Sequence, residues 1–198
     1  QVHSRRAASL GARVVALKRS EPGPDDAALT PVGGGASLAS NIDVVNGAEG
    51  LDRVLSESDV LVLAAPETER TRGMMDADAF RRMKSGALLI NVARGKLVDE
   101  EALLAALREG RLRGAGLDVF EEEPAKPDNP LLDMDNVVTT PHMASASDRG
   151  AIERRKKGAS QLVTILNGQW PAAGLVNPQV IPLAVQKWGM PEETRDDH

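Results

Sequence analysis

Residues 90–110 read INVARGKLVDEEALLAALREG. The stretch begins inside an apolar run, ALLINVA (87–93), which stops at Arg94-Gly95. A segment with helical spacing then opens at Asp99. Asp99 suits a helix N-cap, Glu100 and Glu101 suit the positive end of the helix dipole, and Gly110 closes the helix. The run before Arg94 is continuously apolar rather than alternating, which is the pattern of a strand buried in a parallel sheet. Arg94 therefore stands at the carboxyl end of a strand, the edge at which open parallel sheets bind their ligands.

The same pattern repeats on either side. Upstream, RRAASLG reads as a helix end closed by Gly11, and RVVALK (13–18) as a strand. Residues 20–40 are rich in Pro, Gly, Asp and Ser and read as a loop, with PVGGGAS its most permissive piece. NIDVV (41–45) is a short strand, GLDRVLSES (50–58) a helix, VLVLAAP (60–66) a strand, and DADAFRRMKSG (76–86) a helix capped by Asp76 or Asp78. Downstream follow strands GAGLDVF (114–120) and NVVTTP (136–141), then a long helix over 148–168. The remainder is a proline-rich tail that ends in charge and is expected to be partly disordered. Strands alternating with helices predict an α/β fold: an open, doubly wound parallel sheet covered on both faces.

Composition narrows the chemistry. The chain has 198 residues, 41% hydrophobic and 27% charged, with a formal net charge of -5. That balance does not favour nucleic acid as a partner. The sequence has no cysteine and three histidines, which excludes thiolate chemistry and argues against a metal centre. No apolar run reaches the ~20 residues of a membrane span.

The strand-end rule selects the candidate residues. Pro66 follows VLVLAA, and Arg94-Gly95 follows ALLINVA. Asp118 lies near the end of the GAGLDVF strand, EEEP with Glu123 follows that strand, and His142 follows VVTTP. An arginine, carboxylates and a histidine thus gather on one rim. Arginine offers a planar fork of donors that matches a carboxylate. Histidine exchanges protons near neutral pH, and a neighbouring glutamate orients it. Taken singly, each residue also suits an ordinary surface or loop role, and spacing alone names no reaction.

The stretches NVARGKLVDEEALLAALREGRLRGAGLDVFEEEP and NVVTTPHMAS closely resemble the D-isomer-specific 2-hydroxyacid dehydrogenases, and APETERTRGMM resembles the family segment upstream of them. The resemblance extends over roughly residues 1–168. It implies a Rossmann-like NAD(P)-binding domain and a hydride transfer between a nicotinamide cofactor and a small 2-keto or D-2-hydroxy acid. It also implies roles. Arg94 is similar to the arginine that grips the substrate carboxylate, His142 to the general acid/base, and Glu123 to the carboxylate that keeps this imidazole protonated. Asp118 resembles the residue that receives the nicotinamide carboxamide. Ala65, Val92 and Ala93 fall where the family backbone touches the cofactor, and Ser145 falls near the nicotinamide.

Two departures qualify this. No GxGxxG turn follows a strand, although a dinucleotide fold uses one to cradle the pyrophosphate. The first strand and that turn are therefore expected to be missing, together with the family's N-terminal segment, as in a fragment of a longer enzyme. Second, the second-strand position that carries an acid in NAD-type domains reads Leu17-Lys18-Arg19-Ser20. Lys18 and Arg19 suit the 2′-phosphate of NADP, so NADP is expected in preference to NAD. The expected organisation is a partial dinucleotide-binding domain over 1–147, a C-terminal helix over 148–168 and a tail over 169–198. The resemblance further implies a homodimer in the full-length form, and a cytoplasmic location is expected. A nucleotide-sensing scaffold and an inactive truncated product stay open as alternatives.

Overall fold

The computed structural model describes residues 2–18, 42–171 and 178–189, apart from the side chains of 2–5, 178 and 188. Arg19 and the loop read over 20–40 lie outside these residues. The chain divides into two compact units, 1–144 and 145–198.

The first unit alternates strands and helices. It runs α1 (Val2–Ser9), β1 (Val14–Lys18), β2 (Ile42–Asn46), α2 (Gly47–Glu57), β3 (Val60–Leu63), α3 (Ala77–Arg82), β4 (Ala87–Asn91), α4 (Glu100–Arg108), β5 (Leu112–Leu117) and β6 (Val137–Thr139). Every strand pair is parallel. β1 and β2 form one ladder, and β3-β4-β5-β6 form a second. The break between the ladders falls where the doubly wound order 3-2-1-4-5-6 places its first strand. β5 starts two residues earlier than expected and ends at Leu117, which leaves Asp118 just beyond the strand.

The helices form because their apolar positions recur on one side. Val54 and Leu55 of α2, Ala79 and Phe80 of α3, and Leu103, Ala106 and Leu107 of α4 are buried in one core with Leu61, Leu63, Leu89, Leu112 and Leu117 of the sheet. Asp76 caps α3 by accepting the Ala79 N–H at 2.8 Å, and Asp99 caps α4 by accepting the Ala102 N–H at 3.0 Å. The far end of α3 is closed by Arg111, whose guanidinium donates to the carbonyls of Phe80, Arg81 and Met83.

Val60 and Val62 are 48% and 46% exposed and Val138 is 71% exposed. β3 shows an alternation of exposed and buried residues.

In the second unit, α5 (Asp148–Leu166) is capped by Ser147, which accepts the Gly150 N–H at 3.0 Å. None of its residues is buried, and Ile152, Leu162, Val163 and Leu166 are exposed. Within the tail, a short 3-10 turn over Pro178–Val180 leads into α6 (Ile181–Trp188). Trp170 is buried. Among the described residues, no helix is long and apolar enough to cross a membrane.

Phe80 of α3 is 1% exposed within the hydrophobic core. Phe80→Ala is expected to lower stability by about 3–5 kcal/mol, because truncation loses burial and leaves a cavity; urea unfolding followed by circular dichroism checks this.

Candidate active site

The site is assembled at the carboxyl ends of β4, β5 and β6. β4 ends in Asn91, a polar residue only 1% exposed. Its amide is fully engaged in shaping the turn that follows: Nδ2 donates to the Arg94 carbonyl at 2.9 Å, and Oδ1 accepts the Ala93 N–H at 3.1 Å. Its own carbonyl accepts the Asp118 N–H at 2.9 Å. Asn91 thus joins the Arg94 turn to the end of β5. Arg94 is exposed with an extended backbone, and its Nη1 donates to the Ala93 carbonyl at 2.6 Å.

Gly95 sets a second distance. A Cβ at this position would lie 1.8 Å from the Phe120 carbonyl oxygen, so only glycine lets the Arg94 turn lie against the segment after β5. That segment is also tied to α4. Glu121 accepts the Glu100 N–H at 2.9 Å, while Glu100 accepts the Glu121 N–H at 2.6 Å and Asn129 Nδ2 at 2.8 Å.

Held in this way, Glu123 meets His142. Its Oε2 lies 2.7 Å from His142 Nδ1, and its Oε1 accepts the Phe120 N–H at 3.2 Å. The imidazole holds the Glu123 carboxyl below the ordinary carboxylate range through their hydrogen bond. Burial opposes this, and the Phe120 N–H and the charges of His142 and Arg94 reinforce it. An ionised carboxylate only accepts, so Nδ1 carries the hydrogen and Nε2 is left to exchange a proton. The pair is half-open to solvent, at 48% and 39% side-chain exposure for His142 and Glu123.

Asp118 is the second buried polar residue, at 4% exposure. Its Oδ1 accepts the Thr140 hydroxyl at 2.5 Å and the Met143 N–H at 2.7 Å, and its Oδ2 accepts the Ala144 N–H at 2.8 Å. Burial disfavours its charge. The bonds from Thr140, Ala144 and Met143 and the charge of His142 outweigh that and hold its pKa below the ordinary value.

The other selected residues are placed as follows. Ala65 is half-buried beyond β3, Val92 is 36% exposed, and Ala93 is buried. Lys18 is the last residue of β1, opposite Asn46 of β2. Ser145 begins the second unit, where its carbonyl accepts Arg154 Nη1 at 2.9 Å. Sequence reasoning missed Asn91 and Thr140. The signal for Asn91 was an amide closing an otherwise apolar strand. An open cleft of about 310 Å³ beside α4 is lined by Glu100, Glu101, Glu121, Glu122 and Asp128, with Lys126. It includes none of the selected residues, and its acidic lining is unsuited to an anion.

A guanidinium and a carboxylate-bound imidazole thus stand at the strand ends of a parallel α/β domain. Residues 2–144 match the model of the family described as D-isomer specific 2-hydroxyacid dehydrogenase, NAD binding domain, and the chain belongs to that family. It is 47% identical over 131 residues to a glyoxylate reductase of Korarchaeum cryptofilum, covering 66% of this chain and 39% of the relative. It is 44% identical over 131 residues to glyoxylate/hydroxypyruvate reductase B of Cronobacter sakazakii, covering 66% and 40%. The chain therefore spans about two fifths of the length of these relatives. Among solved structures, a D-isomer specific 2-hydroxyacid dehydrogenase of Xanthobacter autotrophicus Py2, in complex with NADPH and MES, aligns with a TM-score of 0.69 at 36% identity, covering 87% of this chain and 64% of that one. The NADPH-dependent glyoxylate/hydroxypyruvate reductase of Sinorhizobium meliloti, in complex with NADP and sulfate, aligns with a TM-score of 0.69 at 31% identity, covering 86% and 50%.

Two predictions follow from the geometry. Gly95→Ala is expected to push the Phe120 segment away and separate Glu123 from His142, seen as a changed His142 imidazole signal by NMR in a chain that still folds. The depressed pKa values of Asp118 and Glu123 contribute stability that is full above the ordinary carboxylate range and lost as pH falls through the lowered values. Wild-type stability should therefore fall on acidification, and Asp118→Asn should be less stable at neutral pH with a flatter acid dependence, as measured by urea unfolding across the acid range.

Proposed function

We propose that this chain is the nicotinamide-binding and proton-transfer part of an NADP-preferring 2-ketoacid reductase, acting in reverse as a D-2-hydroxyacid dehydrogenase. The observation that carries the reading is the 2.7 Å pairing of His142 Nδ1 with Glu123 at the strand ends that also present Arg94. The named relatives point to glyoxylate, hydroxypyruvate or a similar short 2-keto acid as the substrate.

The residues fit a nicotinamide at this edge. Small or backbone-presenting positions at Ala65, Val92 and Ala93 leave room beside the ends of β3 and β4. Three donors occupy Asp118, and a carboxylate has about four acceptor sites. One lone pair on Oδ2 is left for the carboxamide N–H. Lys18 and Arg19 would meet the 2′-phosphate of NADP. The chain contains no GxGxxG turn for the pyrophosphate. A bound reduced nicotinamide supplies the hydride.

The chain's own residues do the rest. Arg94 holds the substrate carboxylate through its planar fork and turns the keto group toward His142. His142 Nε2 gives its proton to the keto oxygen as that oxygen gains charge. Glu123 holds the imidazole ring through Nδ1 during the transfer. In the oxidising direction the neutral imidazole takes the hydroxyl proton. Residues 1–147 would form the partial dinucleotide-binding domain, 148–168 the C-terminal helix and 169–198 the tail. The full-length form is read as a cytoplasmic homodimer.

The test is titration with NADPH and NADH, followed by turnover with glyoxylate. His142→Gln is expected to lower kcat by roughly 10²–10⁴-fold, the span of general acid–base catalysis. Arg94→Gln should raise KM for the keto acid. Lys18→Asp with Arg19→Ser should shift the NADPH/NADH preference toward NADH. An unchanged ratio would remove the assignment of these two cations, and wild-type activity in His142→Gln would remove the proposed reaction.

A further inference from the structure

His142 is the one non-glycine residue with a positive φ among those described, at 50°. Left-handed backbone is unfavourable for a side chain with a Cβ and persists only where surrounding bonds dictate it. Those bonds converge on Asp118. The His142 N–H donates to the Asp118 carbonyl at 2.8 Å and also to the Thr140 carbonyl at 3.0 Å, and the Met143 and Ala144 N–H groups donate to the Asp118 carboxylate at 2.7 and 2.8 Å. The three bonds to Asp118 hold the turn from its C-terminal side.

The N-terminal side is different. The Thr140 N–H is already used, donating to Leu117 O at 2.9 Å and so extending the β5–β6 ladder. Pro141 has no N–H. The backbone therefore has no donor left on this flank to reach the Asp118 carboxylate. The Thr140 hydroxyl supplies it, at 2.5 Å to Oδ1, in the range of a charge-assisted O–H···O⁻ bond. With both flanks tied, the carboxylate has one orientation and the turn between Thr140 and Ala144 has one shape.

We propose that Thr140 is a positioning residue of the reaction, whose hydroxyl completes a latch on Asp118 that holds His142 in its left-handed conformation facing Glu123. This rests on the function proposed above, through His142 as the proton donor. Thr140 itself touches neither the imidazole nor a substrate. It acts on where Nε2 stands, so its loss should slow the chemical step and leave substrate capture by Arg94 largely intact.

The experiment compares Thr140→Val and Thr140→Ser with the wild-type chain, by NMR and by kinetics with NADPH and glyoxylate. In Thr140→Val the Met143 and Ala144 amide protons should move upfield and exchange faster as the carboxylate loses its second anchor. The kcat should fall roughly 10- to 100-fold, as expected for a small misplacement of a reacting group, with KM for glyoxylate within about twofold. Thr140→Ser, which keeps the hydroxyl, should restore both readouts. If Thr140→Val does not fold, Thr140→Ala carries the same comparison. Unmoved amide signals in a folded Thr140→Val chain, or a Thr140→Ser chain as impaired as Thr140→Val, would overturn the latch. A wild-type chain that shows the latch by NMR but turns over no keto acid would count against the proposed reaction and leave the latch standing.

Discussion

The ladder from β3 to β6 carries the site because parallel strands end at the same edge. In such a sheet the connections that leave the carboxyl ends are neighbours in space although they are far apart in sequence. Asn91, Leu117 and Thr139 close β4, β5 and β6. Arg94, Asp118 and His142 each follow within three residues of one of those strand ends. A pair such as Glu123 and His142, nineteen residues apart in the chain, meets at 2.7 Å because β5 and β6 are adjacent and run the same way.

Strand ends bring residues near each other but do not orient them. Three local restraints do that, and each uses a different property of its residue. Asn91 spends a buried amide on both sides of the Arg94 turn. Gly95 contributes the absence of a Cβ, which lets two backbones touch. Asp118 contributes a buried charge that collects donors from the turn around His142. A buried carboxylate is costly unless it is bonded, so the cost of burying Asp118 becomes a strong preference for the one turn that satisfies it. A half-exposed acid–base pair is thereby held by groups that are almost wholly buried.

Much of this was legible in the sequence. The helices at α2, α3 and α4 follow from their apolar spacing, and Asp76 and Asp99 cap as their positions predict. Arg94, Asp118, Glu123 and His142 could be selected because each stands near or just beyond the end of an apolar run, and the resemblance sharpened them into roles. Asn91 was hidden because an amide inside an apolar run has no pattern of its own. Thr140 was hidden because a threonine beside a proline fits any strand exit. The exposed Val60, Val62 and Val138 escaped because a run of apolar residues reads the same whether one or both of its faces are packed. The helix α6 lies in a proline-rich segment, whose composition carries no helical signal of its own. Arg19 lies outside the described residues.

The sequence by itself determined the alternation of strand and helix, the parallel class of the sheet and the residue types available at its edge, since these depend on local periodicity, capping and chain order. Only the tertiary structure decided which donors reach which acceptors. The division into two ladders, the closeness of Gly95 to Phe120, the pairing of His142 with Glu123 and the gathering of donors on Asp118 all depend on distances between segments far apart in the chain. Those distances are set by packing, and packing is a property of the whole core rather than of any one stretch.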